Sequence, residues 1–394
     1  MSAPLSEVLQ VALQSHRVAL CLDQENADTL FNTAQVLTSL AELVTESKRP
    51  SDDQLAHGIK FLQEALELFQ RCLTLQELRF TESQEMQSME SDPANQPEMS
   101  APDTGEQDDQ SQEQWVTVVE PVTKDTLVDT AVAQLEALTA LCNLLTFNPD
   151  AGVAWVEEYS SELLRSKLVT YIEGSSRQYE ACIARAKYTC GLSEVLYRGR
   201  RIDFETYHRE VARAYESEVD PGDPDGLCSK ADAFTSLNAA LAEMPPSDTD
   251  ALNKSVTVRW QVLSSALDAL TTASKIRDAE NLPKIHIARG DVELHRWRLG
   301  FAPWNHAMAQ QNGGTLIRNA QTYYRGAAAL ARRDGAVEEE RDGTCKEALA
   351  AGLEGQKDKL EQLKTTFPKE VLAVAEDMAD DGFVTPADME AMLS

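Results

Sequence analysis

The chain has 394 residues, 42% of them hydrophobic, and sets 65 Asp and Glu against 36 Lys and Arg, a formal charge of −29. The apolar fraction supports a real core. The charge repels nucleic acid and anionic membrane surfaces, and it either draws basic proteins inward or simply keeps a large surface soluble.

The N-terminal stretch MSAPLSEVLQ has neither the basic nor the apolar segment of a leader, and no apolar run approaches membrane-spanning length. A first helix ends near Asp23 in ALCLDQENAD. A second begins at Ala27 and puts Leu30, Thr33, Ala34, Leu37 and Leu40 on one face. A polar break, TESKRPSDDQLAHG, precedes a third, whose apolar face is Phe61, Ala65, Leu68, Phe69 and Cys72. Residues 81–114 then carry ten acidic side chains and no basic or aromatic one, too polar to offset chain entropy, and are expected to form a disordered acidic insertion. Trp115 to Val119 is the one short alternating, strand-like pattern.

Beyond it the helical period resumes in segments of about 15 to 25 residues. They are separated by polar breaks at 216–226, 244–250, 301–314 and 332–343. The expected organisation is N-terminal helices over 1–80, the acidic loop over 81–114, a helical repeat region over 115–333 and a C-terminal capping segment over 334–394. Seven cysteines without a Cys-x-x-Cys pair read as buried reduced thiols, so cytoplasm or nucleus is the expected compartment.

The small and large residues follow a specific spacing. Leu30, Thr33, Ala34 and Leu37, then Ala65, Phe69 and Cys72, fall where the 34-residue tetratricopeptide repeat places its large, small, small, large and its small, aromatic, small residues. Ala320, Tyr324 and Ala327 repeat the second half of that pattern. The chain therefore resembles the tetratricopeptide-repeat (TPR)-like family, although Leu30 stands where the consensus has tryptophan and Gln24 where it has proline. The resemblance implies an all-α, TPR-like solenoid of antiparallel helix pairs, with Met1 beginning near the middle of a repeat. It also implies a protein-binding groove lined by first helices, here by Asp28, Phe31, Asn32, Gln35 and Ser39. Family members that grip acidic chaperone tails need a basic clamp. Asn32 matches one clamp position, but Thr81 stands where a lysine is required, so that role is rejected.

Other motifs carry less. Asp377, Asp381, Gly382 and Asp388 have part of a calcium-loop spacing, but Ala379 breaks it, and a helix stop followed by a Thr385 cap accounts for the same residues. Gly313-Gly314 before a helix is a faint anion signal. His295 reads as a packing residue, and Trp304 as either a partner anchor or a plug in its own helix pair. No nucleophile motif appears, so no enzyme, cofactor or metal is expected. The expected function is a non-enzymatic scaffold for a basic protein partner, resembling the acidic chaperones dedicated to ribosomal proteins. The alternative is a structural subunit of a larger complex. The sequence leaves the oligomeric state open.

Overall fold

A computed structural model describes residues 4–90, 121–216, 220–277 and 279–393. The expected strand at 115–119 and the acidic residues 91–114 lie outside them. Among the described residues every regular element is a helix. Two compact units form, residues 1–147 with 154–185, and residues 148–153 with 186–394.

In the first unit, α1 (Leu5–Leu22), α2 (Ala27–Val44), α3 (Asp52–Glu90) and α4 (Lys124–Leu145) pack in chain order, and α2 also meets α4. The helices α5 (Val153–Glu162) and α6 (Leu168–Ile172) follow, the second packed on α4, with a π-helical turn between them. Contact with the next helix and the next but one is the habit of a stacked, solenoid-like repeat. Asn26 starts α2 by accepting a hydrogen bond from the Thr29 amide at 2.9 Å. Leu30, Ala34, Leu37, Ala65, Phe69 and Cys72 are all 1% exposed or less. Small residues at 34 and 65 let α2 and α3 approach closely, and each buried Leu or Phe contributes about 1.5–3 kcal/mol.

α7 (Gln178–Arg198) gives its first part to this unit and the rest to the second. There α8 (Phe204–Ala214), α9 (Pro224–Glu243), α10 (Thr249–Ala273), α11 (Leu282–Arg298), α12 (Ala307–Asp334) and α13 (Val337–Leu353) pack in succession. α14 (Asp358–Thr366), α15 (Pro368–Asp380) and α16 (Pro386–Leu393) close it. Tyr324 is fully buried between α11 and α12, and Gly290 leaves the room its ring needs. A Cβ at 290 would lie 2.4 Å from the ring.

Four expectations need correction. The acidic insertion does not begin at 81, because α3 runs on to Glu90; TESQEMQSME is rich in Glu, Gln and Met, whose helix propensity composition alone does not weigh. The break after α2 shrinks to residues 45–51, since DDQLAHG already belongs to α3. The breaks at 301–314 and 332–343 also shrink: Gly313-Gly314 lies inside α12, and the turn between α12 and α13 is Gly335-Ala336, with Gly335 at φ +74°. Finally, α4 is long and apolar enough to cross a membrane by length and composition, although no apolar run of that length is expected from the sequence. Most of it is buried against its neighbours.

Candidate protein-binding concavity

The N-terminal unit holds an open concavity of about 510 Å³. α2 supplies Asp28, Phe31, Asn32 and Gln35, at spacings of three, four and seven residues that share one helix face. α4 supplies Asp129, Ala133 and Glu136 by the same rule. The floor is fixed from below. Phe31 packs edge-on to Phe69 with ring centroids 5.5 Å apart, and buried Gln76 of α3 accepts a hydrogen bond from Thr130 Oγ1 at 2.8 Å. Arg177 and Glu180 complete the rim.

Four of the five residues expected from the sequence thus share one depression, and Asp28, Asn32 and Gln35 are exposed in it. Ser39 is exposed on α2, one turn beyond Gln35, and does not line it. The sequence reading missed Asp129, Glu136, Arg177 and Glu180. A helical wheel over TLVDTAVAQLEAL would have put Asp129 and Glu136 on one face; nothing local connects Arg177 to Asp129.

Charge sets the character of the depression. Asp28, Asp129, Glu136 and Glu180 face one cation, Arg177. Its Nε donates to Glu180 Oε2 at 2.8 Å, its Nη2 to Glu180 Oε1 at 2.5 Å, and its Nη1 pairs with Asp129. The turn that carries Arg177 is held on α4 by Asp125, which accepts from Ser175 Oγ at 2.6 Å and from Ser176 Oγ at 3.0 Å. The Ser175 and Ser176 hydroxyls hold the Asp125 carboxyl below its ordinary pKa.

The second unit has a recess of about 640 Å³ near α11, α13 and α15, with six carboxylates and three cations in its lining. Behind it lies Lys346, 7% exposed, whose Nζ is 3.1 Å from both Asp291 oxygens and 3.5 Å from Asp342. Burial opposes the lysine charge, yet Asp291 and Asp342 outweigh it and keep the Lys346 pKa above its ordinary value. Tyr324 Oη donates to Asp291 at 2.7 Å.

The remaining motifs are accounted for by packing. Gly382, at φ +75°, follows α15. Thr385 caps α16 by a reciprocal pair, its Oγ1 accepting from the Asp388 amide at 3.1 Å and Asp388 Oδ2 accepting from the Thr385 hydroxyl at 2.6 Å. His295 is 8% exposed against the Phe383 ring, and burial depresses its pKa to about 3. Trp304 is half-buried against the core and stacks over Arg259 at 4.2 Å, a plug in its own unit. Among the described residues no group of three or more His, Cys, Asp or Glu side chains is placed to hold a metal ion.

No protein-family model and no curated protein sequence matches the chain. One similar solved structure is described as a circular tandem repeat protein with novel repeat topology and enhanced subunit contact surfaces. The similarity spans 96% of this chain and 77% of that one, at 15% identity and a TM-score of 0.36. A likeness that slight assigns neither fold nor function.

Proposed function

We propose that this all-helical, repeat-like chain is a non-enzymatic scaffold of the tetratricopeptide kind, holding a basic segment of a client protein in the concavity between α2 and α4. The observation that carries this reading is the convergence of four carboxylates and one cation around the apolar ring of Phe31 in a single open depression. The carboxylates attract and orient a basic chain, and Phe31, Val132 and Ala133 offer contact to the aliphatic stems of its side chains. Charge neutralisation of this kind suits an escort that covers a basic protein, such as a newly made ribosomal protein, in cytoplasm or nucleus until assembly. Exposed charges are screened over about 8 Å at physiological ionic strength, so such binding weakens as salt rises.

A second reading, a structural subunit of a larger complex, is favoured by α1, whose Leu5, Val8, Val11, Val18 and Leu22 are 51–85% exposed. Apolar contact of that kind would resist salt. Affinity capture from lysate, washed in rising salt and read by mass spectrometry, separates the two. The escort reading expects one or a few strongly basic proteins to elute as salt rises. A set of neutral partners that survives high salt would overturn it.

A further inference from the structure

Asp and Glu outnumber Lys and Arg by 65 to 36, yet an arginine in the core of the second unit makes no ion pair among the described residues. Arg259 of α10 is 3% exposed. Its Nε donates to Asn238 Oδ1 at 2.9 Å, a neutral acceptor, and its Nη1 is buried with no hydrogen-bond partner. The Trp304 ring lies 4.2 Å from the guanidinium, but a cation–π contact offsets only part of what an unpaired buried charge costs.

The surroundings add positive charge instead of cancelling it. Arg298 of α11 is half-buried, stands 5.9 Å from the Phe301 ring and also makes no ion pair among the described residues. Burial and then Arg298 push the Arg259 pKa down to about 9, and Arg259 in turn disfavours protonation of His295. Arg296 does have a carboxylate, Glu293 at 2.9 Å, but its Nε is buried without a partner, as is His306 Nδ1. Both groups lie against Trp260, Arg296 at 4.3 Å and His306 at 4.9 Å. Three unsatisfied buried nitrogens thus gather where α10, α11 and the turn 299–306 meet. Folded proteins leave few such atoms, and a group of them marks a place for water or an ion.

The turn is made as a cover. The His306 amide donates to the Leu299 carbonyl at 2.8 Å and the Trp304 amide to the Phe301 carbonyl at 2.9 Å, so the turn closes on itself. Trp304 can then swing outward without unwinding α11 or α12. We infer that Arg259 is the base of a binding site for a small oxyanion, a free phosphate or carboxylate held under the Trp304 turn with Arg298 as a second donor. The guanidinium supplies planar paired N–H groups that match either ion. Depth restricts the ligand: a nitrogen buried under a tryptophan is reached by a free ion, not by the side chain of a bulky client. The site lies in the second unit and is independent of the client reading.

The test uses the full chain in chloride buffer, titrated with inorganic phosphate or with acetate at constant ionic strength. Calorimetry and thermal melting are read for wild type and for Arg259→Met, which keeps the apolar stem and removes the charge. One saturable site and a rise in wild-type melting temperature are expected, with binding at least about tenfold weaker in Arg259→Met. In chloride alone Arg259→Met should melt no lower than wild type, because it loses an unpaired buried charge. A response to phosphate only assigns the site to phosphate, and a response to acetate only assigns it to carboxylates. If both proteins are stabilised alike, the effect is general salting and the site is refuted. If neither ion gives saturable binding to wild type, the contact with Trp304 suffices for Arg259 and the site is again refuted. Should Arg259→Met not fold, Arg298→Gln replaces it, and an affinity equal to wild type would overturn the inference.

Discussion

The two recesses of this protein are built from similar material but place their cations differently. Each lining carries three more carboxylates than cations. In the C-terminal unit three cations line the recess and a fourth lies behind it, Lys346, whose side chain is 9% exposed and tied to Asp291 and Asp342. In the N-terminal unit the lining cation is Arg177, which is 34% exposed on a surface turn. A buried ion cannot leave without stranding its partners in a poor dielectric, whereas an exposed one exchanges with water at little cost. Similar composition thus sets one cation in a buried network and the other on an exposed surface turn.

That contrast can be broken or sharpened by substitution. The largest effect belongs to the buried network. Lys346→Ala removes a buried cation from Asp291 and Asp342, which keep 22% and 34% exposure, and should destabilise the C-terminal unit by about 2–3 kcal/mol, read by denaturant unfolding. A loss under 1 kcal/mol would mean that Lys346 is no more fixed than Arg177.

Next comes pH. His295 is buried beside Phe383, and burial, then Arg259 and Lys346, disfavour its protonation. Its folded pKa of about 3 lies below the ordinary 6.5, so the unfolded chain binds the extra proton between those values. The stability from neutral His295 is complete above pH 6.5 and drains away as pH falls towards 3. Relative to His295→Gln, wild type should lose about 2 kcal/mol between neutral pH and about pH 5. Parallel pH profiles for the two proteins would rule this out.

Smaller still, Thr385→Ala removes the cap of α16 and should cost about 1 kcal/mol, visible as a modest fall in melting temperature. At the bottom of the scale, Arg177→Gln should change stability by less than about 1 kcal/mol. Equal losses from Arg177→Gln and Lys346→Ala would erase the distinction between the recesses.

The sequence revealed the packing more readily than the site. The spacing of Leu30, Ala34, Ala65, Phe69, Tyr324 and Ala327 identified buried positions because a close helix crossing admits only small residues at fixed intervals, a constraint written locally. Helix ends were less legible. At 81–90 and 307–314, polar composition and paired glycines suggested breaks where α3 and α12 continue, since helix formers in the one and packing in the other outweigh those signals. The α2 side of the concavity was legible for the same local reason: Asp28, Phe31, Asn32 and Gln35 lie on one turn-spaced face. The Arg177 pairing with Asp129 spans 48 residues and depends on a turn held by Asp125. No short-range pattern encodes it.

The most direct test of the central claim sets one recess against the other. Asp28→Asn with Glu136→Gln lowers the charge of the N-terminal concavity, and Glu338→Gln with Glu370→Gln removes the same charge from the C-terminal recess. Both double variants lose two negative charges, so their net fields match, and each is titrated with the same basic peptide probe at fixed salt. The account predicts that the first variant weakens binding by about tenfold or more while the second stays close to wild type. Equal weakening by both, or loss confined to the second, would contradict it and remove the N-terminal concavity as the client's seat.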